Sequence, residues 1–211
     1  ANSSRTIVSS EELFPTNTRL ALIQGTAGQG KSVFLRFLCI QDLNYAGKIP
    51  IFIELRKIDG DIDIFALIRI QLKVLGLEED LIDPALMTML HSGAVRLYLD
   101  GLDEIKREYI LKTKDAINIL LNRHPKLQIV LTSRPGALKQ HLVDLPHMQQ
   151  YEIAPLTERD YAGFFEKMHG GNMNDNTAPD EHPLNLIAAQ YVLGVLSPAA
   201  RERVKTRMMR D

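Results

Sequence analysis

An α/β fold, a parallel sheet with helices packed on both of its faces, is what the sequence predicts for this chain. Three observations carry the prediction. Short apolar runs alternate with segments of helical period. The middle runs are continuously apolar, as in strands buried on both faces. The first run, Leu20-Ala-Leu-Ile23, leads directly into Gly25-Thr-Ala-Gly-Gln-Gly-Lys-Ser32, a turn of the pattern G-x-x-x-x-G-K-[ST] opening an amphipathic stretch.

Strands are expected at 20–24, 50–55, 94–99, 128–132 and 150–154. The helix from Lys31 to about Ala46 carries Phe34, Leu35, Leu38 and Leu43 on one side, and Gly47 stops it. A second helix, 63–75, begins with acidic residues and ends at Gly76. Asp83 and Pro84 read as the N-cap and first position of a short helix closed by Gly93. From Arg107 to His124, Ile110, Ile117, Leu120 and Leu121 fall at helical spacing, and Pro125 terminates the run. Thr157 caps a helix to about Met168, with Asp160 reaching back to it. Residues 170–182 are polar and turn-rich, a flexible loop. Two more helices follow, near 184–196 and from the Ser197-Pro198 start onward, so a helical annex stands beside the sheet. The division is 1–156 for a nucleotide-binding domain and 157–211 for a partial helical subdomain.

Composition narrows the class. The chain has 211 residues, 45% of them hydrophobic and 24% charged, with a net charge of −1. That balance gives no global electrostatic reason for a nucleic-acid or membrane partner, and neither is expected. No apolar run approaches the roughly 18–20 residues of a membrane span. No signal-peptide pattern opens the chain, so a cytoplasmic protein is the expectation. The start without Met and the end inside a charged helical pattern are what an excised fragment would show. The single cysteine, Cys39, is expected to be buried in the first helix. Six scattered histidines form no i,i+4 metal pair.

The chemistry concentrates in three segments. In the glycine-rich loop, successive N–H groups can face one anion, and the helix starting at Lys31 adds its positive dipole end. Lys31 can reach the β- and γ-phosphates, and Ser32 Oγ can ligate Mg²⁺. The cofactor-binding set is Gly25, Thr26, Ala27, Gly28, Gln29, Gly30, Lys31, Ser32 and Val33. The second segment, Val95-Arg-Leu-Tyr-Leu99, runs into Asp100-Gly-Leu-Asp103-Glu104. Asp100 suits the hydrated Mg²⁺, and Asp103 or Glu104 suits an attacking water. The bland alternative is an acidic turn capping the next helix. The third segment, Ile129-Val-Leu-Thr132-Ser133-Arg134-Pro135, can set a donor and a cation beside the γ-phosphate.

These residues carry a resemblance to the NACHT group of signal-transducing (STAND) P-loop NTPases. It rests on Gly25-Thr-Ala-Gly-Gln-Gly-Lys-Ser32, Ile49-Pro-Ile-Phe-Ile-Glu-Leu-Arg56, Leu97-Tyr-Leu-Asp-Gly-Leu-Asp-Glu104 and Leu131-Thr-Ser-Arg-Pro135, in that order. Tyr151-Glu-Ile-Ala-Pro-Leu156 looks like the fifth strand and its sequel. More loosely, His182-Pro-Leu-Asn-Leu186 looks like the start of the family's helical subdomain, which would set Pro183 against adenine. The resemblance implies a three-layer P-loop NTPase sandwich, a five-stranded parallel sheet of order 5-1-4-3-2, and a small helical annex. It implies Asp100 as metal ligand with Ser32, Asp103 and Glu104 as the catalytic acidic pair, and Arg134 as γ-phosphate sensor. By resemblance the chain binds ATP (or ADP) with Mg²⁺ and hydrolyses ATP slowly, because Gly101 stands where many related ATPases have Glu. It would act as a conformational and oligomerisation switch, self-associating in its ATP state, between effector and sensor domains of a larger defence or immune-type protein. Alternatives are a non-turnover module holding ADP or ATP, and, more weakly, a small-molecule phosphotransferase. ATP is preferred to GTP because no guanine-reading motif appears.

Overall fold

The computed structural model describes residues 10–43, 47–136, 145 and 148–153. Strands β1 (Leu20–Gln24), β2 (Ile49–Glu54), β3 (Val95–Asp100), β4 (Gln128–Ser133) and β5 (Met148–Glu152) form one sheet, ordered β2-β3-β4-β1-β5 and parallel throughout. This is the predicted 5-1-4-3-2 order. The described helices are α1 (Lys31–Gln41), α2 (Ile64–Val74), α3 (Glu79–Ser92) and α4 (Ile110–Arg123).

Side-chain alternation along the strands explains why both faces are covered. Leu20 and Leu22 of β1, Ile49, Ile51 and Ile53 of β2, Val95, Leu97 and Leu99 of β3, and Ile129 and Leu131 of β4 share one core with α2, α3 and α4. Their strand neighbours Ala21, Ile23, Tyr98 and Val130 share the other with Leu35, Leu38 and Cys39 of α1. The connectivity demands this split. The chain leaves β1 in one direction across the sheet and returns from β2 in the other, so right-handed crossovers put α1 opposite α2 to α4. Cys39 is buried as expected, and burial pushes its thiol well above the usual range.

Several boundaries differ from the sequence reading. Helix α1 runs to Gln41, with Asp42 as its C-cap, and the expected end near Ala46 lies outside the described residues. Helix α2 starts at Ile64 and ends at Val74, and Asp63 is its N-cap, the carboxylate accepting from the Ala66 N–H at 2.9 Å. Helix α3 starts at Glu79, not at Asp83-Pro84, and Pro84 lies inside it. The acidic first turn, Glu79 and Asp80, supplies the earlier start, while the Asp83 carboxylate leaves the helix to meet Arg69 Nε of α2 at 2.7 Å. Strand β5 begins at Met148 instead of Gln150. It is a half-exposed edge strand, fixed by main-chain register against β1 (Leu20 opposite Met148) and not by an apolar run. The expected helical annex, the 170–182 loop, Pro183 and the 156/157 domain boundary lie outside the described residues.

At the N-terminal end of β3, Arg96 is fully buried, in what reads as an apolar strand. Its Nη1 meets Asp42 Oδ1 at 2.5 Å, its Nε and Nη2 donate to Gln128 Oε1 at 3.0 and 2.6 Å, and Nη2 meets Glu11 Oε1 at 2.9 Å. The guanidinium also lies 4.9 Å from the Phe14 ring centroid. Asp42 accepts from Ser10 Oγ at 2.5 Å and from the Tyr98 hydroxyl at 2.7 Å. The network joins the segment before β1, the C-terminal end of α1, and strands β3 and β4. Removing one partner of such a pair strands a buried charge, which costs more than the pair contributes. Asp42→Ala should therefore destabilise the chain by about 3–5 kcal/mol. Urea unfolding checks this, and a loss within the range of a surface substitution would contradict it.

Candidate phosphate and metal site

The loop between β1 and α1 has the backbone its glycines permit. Gly28 and Gly30 take φ of 79° and 80°, the left-handed region, and a Cβ built on either would meet nothing within 4 Å. The strain excludes side chains there, and the open space lets a ligand approach the backbone closely. Gly25 is constrained differently: a Cβ would lie 3.0 Å from Gln29 Oε1 and 3.3 Å from Lys31 Cγ. Gln29 Oε1 accepts the Thr26 N–H, and Lys31 Nζ donates to the Gly25 and Thr26 carbonyls at 2.7 and 2.9 Å. The N-terminus of α1 opens at Lys31, directly on this loop, with Gly30 as its N-cap. Val33 is exposed.

Strand β4 lies between β1 and β3, so the loop after β1 and the acidic segment after β3 are not neighbours in the sheet. The end of β4 ties them together. On one side the Ser133 carbonyl accepts the Gly25 N–H at 3.3 Å. On the other, the buried Thr132 hydroxyl donates to Asp100 Oδ1 at 2.6 Å and accepts the Gly101 N–H at 2.8 Å. The Asp100 carboxylate is thereby fixed at the C-terminal end of β3. Within the Thr132-Ser133-Arg134 segment the Thr132 hydroxyl turns sideways, to Asp100 and Gly101.

The acidic pair separates into two environments. Asp103 Oδ1 accepts the Arg134 main-chain N–H at 3.0 Å, and Oδ2 meets Arg134 Nε at 2.9 Å. Glu104 is exposed, and its carboxyl folds back over Gly101, where a Cβ would lie 3.1 Å from Cδ and 3.2 Å from Oε2. Gly101 also takes φ of 79°. That backbone conformation makes glycine the residue that fits after Asp100. Glu54, opposite Asp100 in the register, binds Lys57 Nζ at 2.6 Å and Arg56 Nη2 at 2.8 Å. The Lys57 hydrogen bond holds its carboxyl below the usual range. No feature of the sequence singled Glu54 out.

The residues suit a magnesium–nucleotide ligand. Open left-handed glycines, a helix N-terminus and an ammonium group suit phosphate oxygens. A serine hydroxyl at the start of α1 and a fixed carboxylate are oxygen ligands of the kind Mg²⁺ takes. Among the described residues no group of three or more His, Cys, Asp or Glu side chains could hold a metal by itself. A magnesium ion here would share its coordination with phosphates and water. No described helix is long and apolar enough to cross a membrane.

Comparison with known proteins gives one family match. The family model described as the NACHT domain matches residues 19–172. No curated protein matches the chain. Among solved structures, the chain is similar to PCH-2 of C. elegans, with 13% identity and a TM-score of 0.42, covering 95% of this chain and 63% of that one. It is similar to Cdc6p of Pyrobaculum aerophilum, with 15% identity and a TM-score of 0.47, covering 88% and 52%. A KaiC-like protein of Pyrococcus horikoshii matches with 16% identity and a TM-score of 0.39, covering 71% and 80%. The chain thus spans less than two thirds of the length of the first two.

The stitch at β4 is testable without a ligand. Thr132→Val keeps the shape but leaves the Gly101 N–H without its partner, and should cost about 1–3 kcal/mol in urea unfolding. Thr132→Ser, which retains the hydroxyl, should cost clearly less. Equal losses in the two variants would contradict the role given to the hydroxyl.

Proposed function

This chain belongs to the NACHT domain family, and from that premise we propose that it binds ATP with Mg²⁺ at the β1–α1 loop and hydrolyses it slowly. As a family member it is a nucleotide-binding NTPase module. The observation that carries the finer reading is the β4 stitch, which holds the phosphate loop and Asp100 in one frame through Ser133 and Thr132.

In this reading the loop amides and the α1 N-terminus hold the phosphates, and Lys31 turns its ammonium from the Gly25 and Thr26 carbonyls toward the β- and γ-phosphates. Ser32 Oγ and Asp100 would hold Mg²⁺, which withdraws charge from the β- and γ-phosphates. Glu104, exposed and lying over Gly101 beside Asp100, accepts a hydrogen bond from the attacking water. Arg134 faces the charge developing on the γ-phosphate. Pro183 against the adenine, self-association in the ATP state, and effector and sensor domains flanking the chain complete the switch. Nucleotide moves that switch only by its differential affinity for the two states.

The second reading is a non-turnover module holding ADP or ATP, favoured by the engagement of both Asp103 oxygens with Arg134. Single-turnover phosphate release separates the two readings. Lys31→Ala should abolish ATP binding in calorimetry, and unchanged affinity would overturn the site. Glu104→Gln should bind ATP normally and release phosphate about a hundredfold more slowly or worse, the usual scale of general-base removal. Unaltered release from that variant would move the water-orienting role elsewhere.

A further inference from the structure

We propose that Asp103 is a positioning residue, which aims the Arg134 guanidinium, and that orienting the attacking water falls to Glu104 alone. The inference rests on the ATPase reading above and divides an acidic pair that the sequence presents as one unit.

The division is visible in the geometry. Both carboxylate oxygens of Asp103 are engaged by a single residue, through the Arg134 main-chain N–H at 3.0 Å and Nε at 2.9 Å. Two contacts from one residue, one of them main-chain, fix the origin of the arginine side chain and the plane of its guanidinium together. Burial is asymmetric in the same sense: the Asp103 side chain is 10% exposed and that of Arg134 55%. The carboxylate is the anchor, and the cation projects from it. Using Nε for the anchor keeps the four Nη hydrogens for an anionic ligand. Arg134 follows the β4 residues that bind the Gly25 and Gly101 amides, so its main chain starts at the junction of loop and acidic segment.

A base role fits Asp103 poorly. Taking a proton from water there would discharge the ion pair and leave the guanidinium without its counterion. Glu104 has the opposite situation. It is exposed, makes no ion pair among the described residues, and lies over the glycine adjoining Asp100. A carboxylate so placed can accept from water without breaking an existing contact.

The two roles predict different binding behaviour. A group that orients water does not alter ground-state preference between ATP and ADP; a group that aims a cation at the γ-phosphate does. The test is calorimetry of Mg²⁺–ATP and Mg²⁺–ADP with the 211-residue chain, on Asp103→Ala, Arg134→Ala, the double variant and Glu104→Gln. Asp103→Ala and Arg134→Ala should each reduce the ATP-over-ADP preference by about tenfold, the scale of a hydrogen bond to a charged group. The double variant should lose no more than either single one, while Glu104→Gln keeps the wild-type preference. Asp103→Asn, which keeps an oxygen for the main-chain N–H and loses the charge, should show the same shift and guards against misfolding of the alanine variant. The proposal is overturned if Asp103→Ala and Asp103→Asn keep the preference while phosphate release falls as in Glu104→Gln, or if the losses multiply in the double variant. A wild-type chain that binds neither nucleotide would instead overturn the ATPase reading itself.

Discussion

Among the described residues, the alignment of the glycine loop with the acidic segment depends on the last residues of one strand. The sheet order puts β4 between the strand that feeds the phosphate loop and the strand that ends in Asp100, so the two segments have no direct ladder to align them. Three consecutive residues, the last two of β4 and Arg134 just after them, supply the alignment. Ser133 reaches the loop through its carbonyl, Thr132 reaches Asp100 and Gly101 through its hydroxyl, and Arg134 reaches Asp103 through its main chain and guanidinium. Thr132 and Ser133 are fully buried, where a hydrogen bond left unmade is expensive. The frame is held by the cost of breaking it.

Helix α1 is held at both ends. Its N-terminus opens on the glycine loop, and its C-cap, Asp42, sits in the network of Arg96, Tyr98 and Ser10. The burial of Arg96 is tolerable because Asp42, Glu11, Gln128 and the Phe14 ring surround the guanidinium. That network fixes α1 against β3, so the helix end facing the phosphate loop is positioned from the opposite end of the sheet. Energy stored in a buried ion pair is weak evidence of stability in itself; here its consequence is placement.

What the sequence made legible was local. The first four strand runs, the glycine loop and the acidic segment each lie within a few consecutive residues, and each appears within a residue of where it was expected. Features that depend on partners distant in the chain were not legible. Thr132 and Asp100 lie 32 positions apart, as do Arg96 and Gln128, and nothing in either segment names the other. Asp83-Pro84 misled because it carries a start signal that Arg69 draws away, while the true start lies in the acidic residues before it. Gly101 read as a departure from related ATPases; in the fold its left-handed φ is what favours glycine there. The start of β5 was missed because an edge strand needs register rather than an apolar run.

The proposed function requires the glycine loop and Asp100 to act as one site for metal and nucleotide together. The most direct measurement is ATP affinity with Mg²⁺ and with chelator, in the wild-type chain and in Asp100→Ala. One shared site predicts tighter ATP binding with Mg²⁺ in the wild type, a gain that disappears in the variant while ADP in chelator binds equally to both. An identical Mg²⁺ gain in the two proteins would place the metal away from Asp100 and contradict that requirement.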